Sequence, residues 1–339
     1  MVENIKLMAD FAKENKINLR PHVKTHKCPK IGKLQLKEGA SGICVARVGE
    51  AEIFVENGFN DILIANQVVE INQIRRLINL NRQSLVRVCV DSKRNILDLN
   101  KLSLKEGIKL EVLLEIDVGL GRNGVKPGEA ALELGNFIKG KDGLKLVGLQ
   151  GYEGHLISIK DQELRKKQTE DCMKDLILTR DLLNENGFEI DYITASNSVT
   201  CKHSAKVDGI TEIQPGTYIL NDEHHAQIIP EFNIAATILG TISNIPGKRI
   251  HTIDIGMKAA TNDNGFPVFK DYSKCKIRIM MEDHSVFISG KQDSFEIGQK
   301  IEIIPSHICT TVNLYDFYTV IKKDEVIAKW GILARGKNY

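Results

Sequence analysis

The chain has 339 residues, 42% of them hydrophobic, and its 46 Lys+Arg against 44 Asp+Glu leave a net charge of +2. So even a balance gives no bulk attraction to nucleic acid or to an anionic membrane. No apolar run approaches the ~20 residues that cross a bilayer. The start, M-V-E-N-I-K-L-M, has no apolar signal core and the seven cysteines are scattered, which reads as a cytoplasmic chain with reduced thiols. The length suits two domains, or one large barrel with an appendage.

Ile5, Met8 and Ala12 set a helix period at the very start. Eight strand candidates follow: I-N-L-R-P-H-V, A-S-G-I-C-V-A, D-I-L-I-A-N, L-V-R-V-C-V-D, L-E-V-L-L-E-I-D, L-V-G-L-Q-G-Y, Y-I-T-A-S-N and E-I-Q-P-G-T-Y. Helix patterns lie between most of them, among them residues 48–58, closing on Gly58, and the long stretch 161–187. This alternation predicts a closed (β/α)8 barrel over residues 1–230. The competing open doubly wound sheet would want fewer strands and a glycine-rich first turn, which is absent. Beyond residue 230 the segments N-I-A-A-T-I-L-G-T-I-S, R-I-H-T-I-D-I-G, K-I-R-I-M-M-E, S-V-F-I-S-G and K-I-E-I-I-P have strand lengths. N-D-N-G and S-G-K-Q-D serve as turns between them, so residues 231–339 are predicted to form an all-β domain without a convincing helix.

The stretch L-R-P-H-V-K-T-H-K, residues 19–27, carries the most chemistry. Period two puts Arg20, His22 and Lys24 on one strand face, positive where a core strand would be apolar. Stacked cations lower the pKa of a neighbouring amine, as a nucleophilic lysine requires. Lys24 is therefore a candidate Schiff-base lysine, and a solvated basic strand end is the other reading. Barrel chemistry gathers at the C-terminal ends of different strands, and the candidates recur there. Strand five runs into E-I-D-V-G-L-G-R-N-G with Glu115, Asp117 and Arg122, and strand six into Q-G-Y-E-G-H with Tyr152 and His155. Strands seven and eight run into A-S-N-S-V-T and Q-P-G-T-Y, where Ser198, Thr200, Gly216 and Thr217 suit a phosphate cradle. A lysine and such a cradle together suggest pyridoxal phosphate.

On R-P-H-V-K-T-H-K, E-I-D-V-G-L-G-R-N-G, E-I-Q-P-G-T-Y and P-S-H-I-C-T-T-V-N-L, the chain resembles the fold-type III pyridoxal-phosphate enzymes of the D-serine dehydratase/D-threonine aldolase group, relatives of alanine racemase. The resemblance runs from about residue 4 to the C-terminus. It implies Lys24 as the Schiff-base lysine, Arg122 near the cofactor's ring hydroxyl, and Ser198, Gly216 and Thr217 around its phosphate. Glu115 would then hold Arg122 in place, since the lumen needs anions to offset Arg20 and His22. His225 stands where relatives commonly carry a tyrosine contacting the cofactor. Relatives also begin with a strand ahead of the first helix, whereas this chain opens in the helix, and A-R-V-G-E-A-E lacks a glutamine of some aldolase relatives.

His307-Ile308-Cys309 is the second motif. On a strand or turn this spacing puts an imidazole and a thiolate on one side, a donor set that favours Zn2+ over Mn2+ or Mg2+. The matching positions are metal ligands in the resembled family, His with Cys in D-serine dehydratases and His with Asp in D-threonine aldolases. The other thiols and imidazoles read as packing or surface: Cys44 and Cys89 inside strands, and His203, His251 and His284 elsewhere. The expected activity is elimination from D-serine, giving pyruvate and ammonia. Retro-aldol cleavage of D-threonine, with His155 as base, is the alternative, followed by a racemase or a non-catalytic cofactor carrier. The family implies a head-to-tail homodimer.

Overall fold

The computed structural model describes Met1–Tyr339, and the chain divides into two compact units. One comprises Lys6–Lys24, Cys28–Gly216 and Gly336–Tyr339; the other comprises Met1–Ile5, Thr25–Lys27 and Thr217–Arg335. The division thus falls at Gly216/Thr217, and residues 217–230 cluster with the later strands.

The first unit is built on eight parallel strands: β1 (Asn18–Leu19), β2 (Ile43–Val45), β3 (Asp61–Gln67), β4 (Leu85–Val90), β5 (Leu110–Ile116), β6 (Leu144–Gly151), β7 (Tyr192–Ala195) and β8 (Glu212–Ile213). Their order is β1-β8-β7-β6-β5-β4-β3-β2. Backbone bonds from Ser41 N to Leu19 O, Cys44 N to Pro21 O and Val23 N to Cys44 O close the sheet between the first two strands. The eight predicted strands are all present, so the closed (β/α)8 barrel is correct. Helices α1 (Val2–Glu14), α2 (Pro29–Lys37), α3 (Val48–Glu56), α4 (Ile71–Leu80), α5 (Lys93–Lys105), α6 (Glu129–Lys139), α7 (Gln162–Glu185) and the short α8 (Cys201–Ser204) alternate with them. Their boundaries follow local chemistry. The Glu70 carboxylate caps α4 through Asn72 N and Gln73 N, Ser92 caps α5, and Asp161 caps α7. Gly58, just past α3, has φ +83, the left-handed backbone that ends a helix without a Cβ penalty.

The barrel interior is layered. Towards the N-terminal ends of the strands Arg20, 3% exposed, donates to Glu212 at 2.8 Å and to Asp61 at 2.7 Å. Arg87 reaches Asp61 and Glu111, each at 2.8 Å. The anions that offset Arg20 are therefore Glu212 and Asp61, not Glu115. Above them lies an apolar layer of Cys44, Leu63, Cys89 and Leu113, where burial pushes both thiols up.

The second unit contains a six-stranded antiparallel sheet, order β11-β14-β9-β10-β13-β12. Its strands are β9 (Ile238–Gly247), β10 (Ile250–Ile253), β11 (Val268–Phe269), β12 (Lys276–Met280), β13 (Ser285–Ile288) and β14 (Lys300–Ile304). Ile242, Ile253, Phe269, Phe287, Phe295 and Ile303 form the heart of its core, with Phe269 and Phe287 at 4.5 Å and His251 stacked on Phe287. A separate hairpin, β15 (Phe317–Lys322) and β16 (Glu325–Gly331), follows. The short helix α9 (Glu223–Ala226) precedes β9, and a second short helix, α10 (Ile308–Val312), interrupts the expected run of strands. No helix in the chain is long and apolar enough to cross a membrane.

Candidate active site

Lys24 lies in the turn Val23–His26, not at a strand end. Extended pairing stops where Val23 N donates to Cys44 O at 2.8 Å, and the half-buried lysine follows. Its ammonium is 5.7 Å from the centroid of the Tyr152 ring, and the Arg122 guanidinium carbon is 5.0 Å from the same centroid. One aromatic face region after β6 thus serves cations from the β1 and β5 loops, an attraction set by the ring quadrupole.

Arg122 is 50% exposed, and its nearest contact with Glu115 is 3.9 Å. Glu115 is held mainly by Gln67, whose Nε2 donates to it at 2.6 Å, while Gln67 Oε1 accepts from Asn123 at 2.7 Å. Burial pushes the Glu115 carboxyl up to about 7; Asp91 and Asp117 add to the rise, and the Gln67 bond and Arg122 oppose it. Asp117 organises its own loop instead, accepting from Gly119 N and Gly121 N. His155 is exposed and rests against that loop: a Cβ on Gly119 would stand 3.2 Å from the imidazole Cε1, and Gly119 has φ +115. The left-handed backbone favours glycine there, and a side chain would also have to displace the imidazole.

The loops after β7 and β8 meet where Gly216 N donates to Ser198 Oγ at 3.1 Å. Thr200 differs from the expectation for a phosphate ligand. Its hydroxyl turns inward, accepting from Asn197 N at 3.2 Å and donating to Glu153. Asn197 Oδ1 accepts from Val199 N and Thr200 N, whereas its buried Nδ2 has no partner. An unpartnered buried amide N–H on a loop of hydroxyls is a donor in want of an anion. With Lys24 and Arg122 in the same barrel, these residues fit pyridoxal phosphate.

The other candidates belong to the second unit. His307 caps α10 in an extended conformation, φ −141, and Cys309 lies in its first turn, so the motif sits on a helix start and not on a strand. A capping residue has left the helical path, which lets the imidazole hydrogen-bond the cysteine two residues on. Nδ1 of His307 also pairs with the Asp263 carboxylate, in the predicted N-D-N-G turn, and Asp263 accepts from Thr310 at 3.0 Å. Burial would lower the imidazole, but Cys309 and Asp263 hold it up at about 9. A carboxylate on Nδ1 fixes the ring and leaves Nε2 as the nitrogen that could serve a metal. No cluster of three or more His, Cys, Asp or Glu side chains is arranged around a metal position. The donor set fits a metal held by two protein groups with its other positions open.

Cys309 Sγ is 3.3 Å from Thr25 Oγ1 and 3.9 Å from the hydroxyl of Thr217, which opens a single helical turn. His225 is buried, its Nδ1 2.8 Å from Asp222 Oδ1, and the other Asp222 oxygen accepts from Ile308 N at 3.0 Å. Asp222 therefore ties His225 to the backbone between His307 and Cys309. Sequence reading missed Asp222, Asp263, Gln67, Asn197 and Glu153. All but Asp222 stand inside or beside a quoted motif, yet only the folded geometry gives each its place.

Residues 1–223 match the alanine racemase N-terminal domain family, and residues 235–321 match the putative serine dehydratase domain family. The chain is 30% identical to a D-threonine aldolase of Arthrobacter sp, over 98% of this chain and 89% of that one. It is 29% identical to the 3-hydroxy-D-aspartate aldolase of Paracoccus denitrificans (strain Pd 1222), over 99% and 89%. The D-serine dehydratase of Dictyostelium discoideum is 27% identical over 92% and 88%. Among solved structures, the D-threonine aldolase of Filomicrobium marinum matches with a TM-score of 0.97 at 31% identity, covering 100% of this chain and 93% of that one. On matches of that breadth the chain belongs to the fold-type III pyridoxal-phosphate family, among its lyases that join an alanine-racemase-type barrel to a serine-dehydratase-type β-domain.

Proposed function

We propose that the chain is a metal-dependent lyase of D-3-hydroxy amino acids whose reaction is the dehydration of D-serine to pyruvate and ammonia. The observation that carries this reading is the His307–Cys309 pair, with Asp263 behind the imidazole. Pyridoxal phosphate, held by Lys24 with the Ser198 and Gly216 loops for its phosphate, supplies an electron sink for the charge left at Cα. A divalent metal on His307 and Cys309 supplies a Lewis acid for the β-hydroxyl, otherwise a poor leaving group. An imidazole with a thiolate favours zinc over manganese or magnesium.

The chain's own residues do the rest. Lys24 Nζ takes the α-proton, and the Tyr152 ring steadies that amine and the Arg122 guanidinium. Asp263 keeps the His307 ring in one orientation. Retro-aldol cleavage is the second reading. It is favoured by the identities of 29–31% to aldolases against 27% to the D-serine dehydratase. His155, exposed against Gly119, is the base available to take a β-hydroxyl proton in that case.

The test is to incubate purified protein with D-serine and with D-threonine, before and after chelation and after adding zinc, and to assay pyruvate and glycine. Pyruvate from D-serine that is lost on chelation and restored by zinc is the expected result. Glycine from D-threonine without pyruvate from D-serine transfers the assignment to the aldolase reading. Undiminished pyruvate from metal-free protein excludes the role given to His307 and Cys309.

A further inference from the structure

Glu153 is a carboxyl that the proposed chemistry leaves unused. It follows Tyr152 after β6 and is 0% exposed. One of its oxygens accepts the Thr200 hydroxyl, and Oε2 has no partner. Burial pushes this carboxyl up, against the opposing pull of Thr200 and of the backbone N–H groups of Glu153 and Ser196. An ionised carboxylate with an orphan buried oxygen is costly, and burial shifts the balance towards the protonated form. That direction suits its place: the weaker the charge on the carboxyl, the less it repels an anion held by the loop it fastens.

The loop it fastens needs fastening. Ser196 has φ 87, a left-handed backbone adopted without being glycine, and such a conformation persists only where its surroundings over-determine it. The Thr200 hydroxyl links both sides, receiving Asn197 N and giving its own hydrogen to Glu153. The same loop carries Ser198, joined to Gly216, and the unpartnered Asn197 Nδ2.

We propose that Glu153 is the positioning residue of the phosphate loop: it holds the Thr200 hydroxyl, and so keeps Ser196–Thr200 in the shape that joins Ser198 to Gly216 and presents the Asn197 amide to an anion. Glu153 touches no cofactor atom in this role. The inference rests on reading these loops as the seat of the cofactor phosphate, and the experiment separates the two.

Cofactor-stripped full-length protein is titrated with pyridoxal 5'-phosphate and with pyridoxal, which lacks the phosphate, following absorbance and fluorescence. The wild type is expected to prefer the phosphorylated form by about a hundredfold or more, since several hydrogen bonds to a charged group are at stake. Glu153→Ala should lower that preference about tenfold or more while leaving pyridoxal affinity within about twofold. Glu153→Gln, whose side-chain oxygen can still accept from the Thr200 hydroxyl, should restore it. A general loss of structure would weaken both ligands alike and leave their ratio unchanged, which would overturn the inference. Should Glu153→Ala not fold, Thr200→Val removes the hydroxyl that Glu153 holds at nearly constant volume, and the same fall in ratio is expected. A wild type without preference for the phosphorylated ligand refutes the phosphate cradle itself, whatever the variants do.

Discussion

Arg20 and Arg122 both project from barrel strands or their loops, yet their surroundings have little in common. At the N-terminal end Arg20 is 3% exposed and hydrogen-bonded to two carboxylates, with Tyr192, Thr194 and Ser41 also donating to Glu212. At the C-terminal mouth Arg122 is 50% exposed, 3.9 Å from Glu115, and laid over an aromatic ring. The first end satisfies its polar groups internally. The second leaves Asn197 Nδ2 and Glu153 Oε2 without partners and a carboxyl poised at about 7. Incomplete satisfaction of buried polar groups marks the end of a barrel that is built for a ligand. Internal completeness marks the end that is built for stability.

The largest expected effect breaks the complete end. Glu212→Ala leaves the Arg20 guanidinium with one carboxylate fewer and takes away the acceptor to which the Thr194 and Tyr192 hydroxyls donate. Removing one partner from a buried pair typically costs ~3–5 kcal/mol. Urea unfolding should shift by that order, with pyridoxal phosphate affinity of the folded protein nearly unchanged. Glu106→Ala, which breaks the exposed pair with Arg82, should fall within ~0.5 kcal/mol and serves as the control. An unmoved midpoint for Glu212→Ala would show that the ion network contributes nothing net.

The contrast between the two ends also explains what the sequence showed. Alternation of apolar runs with helix periods announced the barrel, because β3 to β6 are long enough to display it and because Gly58 and Gly187 close their helices in left-handed backbone. The pattern around Lys24 suggests a strand face of stacked cations, but Arg20 is matched by Glu212 and Asp61, and Lys24 lies in a turn. Residues 192 apart in sequence, Arg20 and Glu212, pair only through closure of the barrel, and no local pattern encodes that. The same holds for Asp263 and His307, 44 apart, where the aspartate read as an ordinary turn residue. His307-x-Cys309 was legible as a donor pair, while its place at a helix start was not, because the five-residue α10 is too short for a period to emerge.

The next prediction sharpens the comparison at the mouth. Glu115 is 3% exposed and its carboxyl is held at about 7, above the ordinary 4.5. Between those values the folded state keeps a proton that the unfolded state has released. The stabilising contribution is therefore full below about pH 4.5 and is lost as pH rises through about 7. Glu115→Gln removes the titration, and its Oε1 can still accept from Gln67. The variant should gain on the wild type above pH 7 by up to ~3 kcal/mol and show no such gain near pH 4.5. Denaturant midpoints at the two pH values check it. A variant less stable than the wild type at high pH would mean that Arg122 depends on this carboxylate in spite of the 3.9 Å separation.

The smallest expected effect concerns Tyr152, whose ring stands 5.7 Å from the Lys24 ammonium and 5.0 Å from the Arg122 guanidinium carbon. Tyr152→Leu keeps an apolar side chain but removes the quadrupole that attracts both cations. Such contacts are worth ~0.5–2 kcal/mol each, least where water competes, and Arg122 is half exposed. The expectation is a change in unfolding free energy within ~1 kcal/mol, together with pyridoxal phosphate affinity reduced up to about tenfold. Tyr152→Phe retains the aromatic face and should stay near the wild type in both. If phenylalanine were as damaging as leucine, the hydroxyl and not the ring face would be the functional part. If leucine cost as much stability as Glu212→Ala, the mouth would be as structural as the base, and the division of labour between the two ends of the barrel would fail.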